Sequence, residues 1–124
     1  EILIGLVGSE MCIRDSIRAT MGSIFRVPFV YVPDLAPVLE QMHAKGIHTY
    51  AAHLKGQEYY DSFSFREPTA FLIGNEGNGL SKEISDQAGQ YLKIPMEGRV
   101  ESLNASIAAA LLMYEAHRQR SARL

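Results

Sequence analysis

Apolar positions along the chain fall into short runs and helical stripes, separated by polar and glycine-rich turns. Leu35, Val38, Leu39 and Met42 lie at i, i+3, i+4 and i+7, one face of a helix. Asp34 stands where a carboxylate can accept the first N–H groups of that helix, and Gly46 stands where it should stop. Residues 47–54 read as a strand. Residues 55–68 are polar, with Tyr59, Tyr60, Phe63 and Phe65 interleaved, and read as a loop. Its rings either stack on nucleic-acid bases or pin the loop to the core, and pinning is the commoner use. Residues 69–73, Thr-Ala-Phe-Leu-Ile, form an apolar run of strand length, fit for burial on both faces. A turn over 74–79, a short helix over 81–87 and a strand over 91–95 follow. Residues 103–120 predict a long helix with Leu103, Ile107, Ala110, Leu111 and Tyr114 on its apolar face. Upstream, 16–23 is short and helical in character. Residues 25–32, rich in Val, Phe and Tyr, read as a strand, with Pro28 at its start or near an edge.

Strands alternating with helices predict an α/β domain, a mostly parallel sheet with flanking helices. Ligands of such sheets bind beyond the carboxyl ends of the strands. Two turn-rich segments, 74–80 and 94–106, sit at such ends.

Composition narrows this only a little. With 124 residues, the chain builds one domain around one core. The formal net charge of −2 carries no signature of a nucleic-acid binder. Arg118, Arg120 and Arg123 cluster near the C-terminal end, as a basic patch or as a solvated helix end. No apolar run approaches the ~20 residues that span a bilayer. A single cysteine, Cys12, forms no intrachain disulfide and suits a cytoplasmic protein. His43, His48, His53 and His117 are scattered without metal-ligand spacing, and each reads as a surface or structural residue.

The N-terminal stretch stands apart. Residues 1–5 begin like a strand, but Leu-Val-Gly-Ser-Glu-Met-Cys-Ile-Arg-Asp (6–15) follows neither helical nor strand period. That string resembles the translation of a transposon-end adapter used in preparing sequencing libraries. Residues 1–15 are therefore expected to be a non-native scar, with the domain occupying 16–124 and the native N-terminal part missing.

The segment Phe71-Leu-Ile-Gly-Asn-Glu-Gly-Asn-Gly-Leu-Ser81 puts three glycines directly after the buried run, so the backbone can turn sharply against a ligand. The order Gly74-x-x-Gly77-x-Gly79 fails the dinucleotide pattern G-x-G-x-x-G. Gly74, Gly79 and Ser81 fit a P-loop, but Leu80 replaces the lysine that contacts phosphate, which argues against a nucleotide hydrolase. The second segment, Ile94-Pro-Met-Glu-Gly-Arg-Val-Glu-Ser-Leu-Asn-Ala-Ser106, leads from a strand into the last helix. Ser102-Leu-Asn-Ala-Ser106 offers side-chain oxygens and unpaired N–H groups at a helix start.

In this order and spacing, Gly-Asn-Glu-Gly-x-Gly-Leu, Ile-Pro-Met and Ser-Leu-Asn-x-Ser resemble the second and third motifs of the SpoU (TrmH) family within the SPOUT superfamily. Residues 16–28 also look like the segment that precedes the central strands of that family. The resemblance implies an α/β fold whose C-terminal portion forms a deep trefoil knot, and a homodimer. It implies an RNA ribose 2'-O-methyltransferase using S-adenosyl-L-methionine, acting on tRNA or rRNA without a metal. Carried onto this sequence, backbone groups of Ala52, Gly74, Ile94, Met96 and Leu103 would hold the cofactor. Glu76 and Asn104 would orient the reacting groups, and Ser102 would hydrogen-bond near the RNA. The first motif of the family, an asparagine followed by an activating arginine, matches nothing in residues 1–15, so the chain alone is expected to be impaired as a catalyst. A knotted RNA-binding or ribosome-assembly protein without catalysis is the alternative, and it predicts no donor binding.

Overall fold

The structure, a computed structural model, describes residues 3–7, 17–18, 20–74, 78–98 and 102–121. The strands are β1 (Leu3–Val7), β2 (His48–Ala52), β3 (Thr69–Gly74) and β4 (Gln90–Leu92). The helices are α1 (Ala36–Ala44), α2 (Lys82–Gln87) and α3 (Ala105–Ser121). The strands form one sheet in the order β1-β3-β2-β4, and every pairing is parallel. The α/β class expected from the sequence is what the structure shows. β1 runs beside β3 from Leu3 opposite Ala70 to Val7 opposite Gly74. Residues 8–16 lie outside the described residues.

β3 is the centre. Thr69 to Ile73 are all buried, as an unbroken apolar run requires when both faces are covered. Alternation along the strand splits the core in two. Phe71 and Ile73 join Tyr50, Phe65 and Leu92 under α3, whereas Ala70 and Leu72 join Ala51, Leu39 and Met42 under α1. The stripe on α1 is therefore the expected one. Asp34 Oδ1 accepts the Ala36 N–H at 3.0 Å at its start.

The loop between β2 and β3 is pinned by its own aromatics. Phe65 is fully buried, edge-on to Tyr50 and Phe71 at centroid distances of 5.1 and 5.0 Å. Burial pushes the Tyr50 hydroxyl pKa up, and the hydroxyl donates to Ser64 O. The far end of α3 fastens the same loop. Gln119 accepts the Phe65 N–H at 2.7 Å and donates to Phe63 O at 2.9 Å. Arg120 donates to Phe65 O and Glu67 O, both at 2.8 Å.

Two expectations are corrected. Residues 25–32 are not a strand: Ser23–Arg26 is a 3-10 turn and the following residues are irregular, with Phe25, Phe29 and Tyr31 exposed. Pro28 and Pro33 supply no N–H for a ladder, and β2 takes β3 and β4 as its neighbours instead. The buried face of α3 is also different. Ala105, Ala108, Ala109, Leu112 and Ala116 are buried, while Ile107, Leu111 and Tyr114 are exposed and Ala110 is half-buried. Residues 107–114 are apolar all round, so periodicity offered two stripes. Packing took the one with small alanines, which lets the helix axis lie close to the sheet.

This face assignment is testable by urea unfolding. Leu112→Ala should lower the unfolding free energy by about 2–5 kcal/mol through the cavity it leaves. At dilutions where the chain is monomeric, Tyr114→Ala should change it by no more than about 0.5 kcal/mol.

Candidate functional site

Because all strands are parallel, the carboxyl ends of β2, β3 and β4 gather on one edge of the sheet. A cavity of 420 Å³ opens there, closed on one side by the start of α3. Its size suits a small molecule. Ala52 ends β2, Gly74 ends β3, Ile94 and Met96 follow β4, and Ser102 and Leu103 precede α3. All six line the cavity. Two motifs some twenty residues apart and the end of a third strand thus meet in one place. A second hollow of 260 Å³, at the opposite ends of β2 and β4 beside Thr49 and Gly89, holds none of the singled-out residues.

The turn after β3 depends on Gly74. A Cβ at Gly74 would lie 2.1 Å from the carbonyl carbon of Gly79 and 2.3 Å from the nitrogen of Leu80. The chain leaves β3 and folds back so tightly that only a hydrogen fits. Gly79 completes the return at φ +65°, in the left-handed region that favours glycine. Ser81 then caps α2, its hydroxyl accepting the Ile84 N–H at 3.3 Å. Leu80 sits in the cavity wall where a P-loop would carry its lysine.

Asn104 differs from Ser102, Leu103 and Ala105 of its motif. It does not line the cavity. Its Oδ1 accepts the Ser106 N–H at 3.0 Å, and its carbonyl accepts the Ala108 N–H at 2.9 Å, so the side chain fixes the start of α3. Glu76 lies outside the described residues. The C-terminal arginines are occupied rather than presented as a patch. Arg118 pairs with Glu115 at 2.7 Å and, with Gln119, holds that carboxyl below the usual carboxylate range. Arg120 is bound to the loop carbonyls. Arg123 lies outside the described residues.

The sequence reading missed His53, Asn78 and Lys93, which also line the cavity. The same strand-end rule that selects Ala52 and Ile94 would have found His53 and Lys93, each one residue beyond a strand. His53 is well fixed. Its N–H donates to Leu92 O at 3.0 Å, its Nδ1 accepts the Lys55 N–H at 3.0 Å, and its ring meets Tyr91 edge-on at 5.4 Å. Tyr91 in turn donates to Asp86 at 3.0 Å. Lys82 and this hydroxyl together hold the Asp86 carboxyl below its ordinary range.

This geometry, apolar walls with backbone N–H and C=O groups at strand ends, suits recognition of a flat heterocycle. The sequence model of the SpoU rRNA Methylase family matches residues 3–114. The chain belongs to the SpoU methylase family. YacO of Bacillus subtilis, assigned to the TrmH family of tRNA/rRNA methyltransferases, is 38% identical over 104 residues, which cover 84% of this chain and 42% of YacO. The chain thus spans under half the length of this relative. The crystal structure of AviRb, a SpoU methyltransferase from Streptomyces viridochromogenes, in complex with AdoMet superposes with a TM-score of 0.79 and 34% identity, over 93% of this chain and 46% of that one. An RNA 2'-O ribose methyltransferase structure superposes with a TM-score of 0.80 and 30% identity, over 97% of this chain and 46% of that one. Among the described residues no group of acidic, histidine or cysteine side chains is placed to hold a metal, and no helix is long and apolar enough to cross a membrane.

Gly74→Ala is expected to open the turn and lower the melting temperature by several degrees, since backbone atoms and not a flexible side chain stand in the way. Thermal unfolding followed by circular dichroism checks this. A variant melting like the wild type would show that the turn is not tightly closed.

Proposed function

We propose that this chain carries the donor-binding part of an S-adenosylmethionine-dependent RNA methyltransferase that modifies a ribose 2'-hydroxyl of tRNA or rRNA. The observation that carries the reading is the meeting of Ala52, Gly74, Ile94, Met96 and Leu103 in one cavity. Those five are the positions that the family resemblance implies for the cofactor. AviRb with its bound AdoMet and the 2'-O ribose methyltransferase supply the chemistry by likeness.

The residues fit the cofactor. Ile73, Ile94 and Ala105 give apolar walls for an adenine, and the strand ends offer backbone donors and acceptors beside it. When bound, the cofactor supplies an electrophilic methyl on a sulfonium that leaves without metal assistance. The chain must bind it in one orientation, exclude water and place the ribose oxygen in line with the methyl. Ser102, at the cavity wall, is positioned to hydrogen-bond the incoming ribose. Asn104 orients by fixing the helix start that carries Ser102 and Leu103. Glu76 is assigned the role of an orienting carboxylate on the turn after β3. Proton removal needs a base, and the arginine that the family resemblance implies for activating the hydroxyl is not matched in this sequence, so transfer by the chain alone is expected to be slow.

Other features belong to the same proposal. The homodimer has a candidate face in Ile107, Leu111 and Tyr114, which form an exposed apolar stripe on α3. The knotted path is part of it too, since residues 75–77 and 99–101 lie outside the described residues. So is the non-native origin read for residues 1–15, of which 3–7 form β1 beside β3.

The test is label transfer. The chain is incubated with tritiated methyl donor and total structured RNA, which is then hydrolysed in alkali. A 2'-O-methylated linkage resists alkali, so slow incorporation into alkali-stable dinucleotides is expected. Label in base-modified mononucleotides would contradict ribose methylation. RNA retention with no donor binding would favour a non-catalytic RNA-binding protein.

A further inference from the structure

The donor-binding reading leaves two cavity-lining side chains without a task, Lys93 and His53. Strand alternation indicates where they sit. On β2, Ala51 belongs to the core under α1 and Ala52 packs against the core under α3. His53 returns to the α1 side, where its ring meets Tyr91. On β4, Leu92 lies under α3, so Lys93 alternates to the other side as well. The opposite wall, with Ile73, Ile94 and Ala105, belongs to the core under α3. The cavity is thus apolar on one side, and on the other Lys93 and His53 stand beside Leu80. No Asp or Glu stands among its described lining residues.

Both side chains can still bind an anion. Lys93 has no salt-bridge partner among the described residues. The Nδ1 of His53 accepts the Lys55 N–H, which leaves its Nε2 side to face a ligand as a donor. The main chain holds both groups in place. The His53 N–H bonds to Leu92 O, while the Lys93 N–H bonds to Glu58 O and its carbonyl accepts the Tyr60 N–H.

We propose that Lys93 and His53 form a carboxylate subsite that takes the amino-acid carboxylate of the methyl donor. This rests on the donor-binding reading above. A sulfonium donor carries a cationic sulfur and, three carbons or so away, a carboxylate beside an α-ammonium, so the subsite must take the carboxylate with the ammonium turned away from Lys93. A cationic end of the cavity attracts the carboxylate and repels the sulfonium. The two effects act together to turn the reactive methyl away from Lys93, towards the Ser102 side. The apolar wall gives affinity for the nucleoside, and the charged end gives orientation.

Calorimetric titration of the chain with two nucleosides tests this. S-adenosylhomocysteine keeps the carboxylate, and 5'-methylthioadenosine lacks the amino-acid part. Lys93→Gln should weaken S-adenosylhomocysteine by about tenfold, the scale of one charge-assisted hydrogen bond, and leave 5'-methylthioadenosine within about twofold. His53→Gln should act in the same direction, and Lys93→Arg should restore most of the loss. Equal weakening of both nucleosides, or no change in either, overturns the subsite. Unchanged nucleoside binding with weaker RNA retention would assign the two side chains to phosphate and also overturn it. If the wild type binds neither nucleoside, the donor-binding reading itself fails and the subsite with it. Binding of both with no preference for the carboxylate removes the subsite alone.

Discussion

The contact between the backbone of Gly74 and that of Gly79 and Leu80 is the constraint on which the site depends. β3 is buried on both faces and cannot move. Its last residue must reverse direction at once, because α2 begins only eight residues later. The reversal is so tight that a methyl group at Gly74 would overlap three backbone atoms. This places Gly74, Gly79 and Leu80 in the cavity wall, where the two glycines present backbone alone. A glycine-rich turn of this kind is a binding surface made of N–H and C=O groups.

The other wall is placed from a distance. The start of α3 lines the cavity, but the helix is held along its whole length. Alanines lie against Phe71 and Ile73, Leu112 fills the core, and Gln119 and Arg120 tie its far end to the loop over 63–67. Those bonds satisfy backbone groups that a long loop would otherwise leave unpaired. The loop aromatics thus serve the site indirectly. Phe63 and Phe65 pack in the core beneath α3 and help fix the helix whose first residues line the cavity.

Much of this was legible in the sequence, for identifiable reasons. The buried strand at 69–73 had no polar residue to interrupt it except Thr69, and the stripe on α1 had polar residues between its apolar ones. Both patterns allow one reading. The cavity residues were legible through order and spacing of two motifs, which composition and periodicity would never have joined. What failed was ambiguous physically. Residues 107–114 give no polar side to orient α3, so only close packing of alanines against the sheet decides its face. Residues 25–32 have strand composition, but Pro28 and Pro33 break the donor series, and the sheet is built from β1, β3, β2 and β4 without them. Asn104 is a separate case: its side chain bonds the start of α3, and its orienting role stays part of the proposal. His53 and Lys93 went unnoticed because isolated basic residues carry no pattern until a strand end gives them a place.

The central claim is that backbone groups at three strand ends and at the start of α3 recognise the methyl donor. Nuclear magnetic resonance of the isotopically labelled chain, titrated with S-adenosylhomocysteine, tests it most directly. The account predicts that the amides of Gly74, Ile94, Met96 and Leu103 shift most, while those of Thr49 and Gly89, at the opposite end of the sheet, stay in place. Saturable shifts centred on Thr49 and Gly89, or no shift at the four predicted amides, would contradict it.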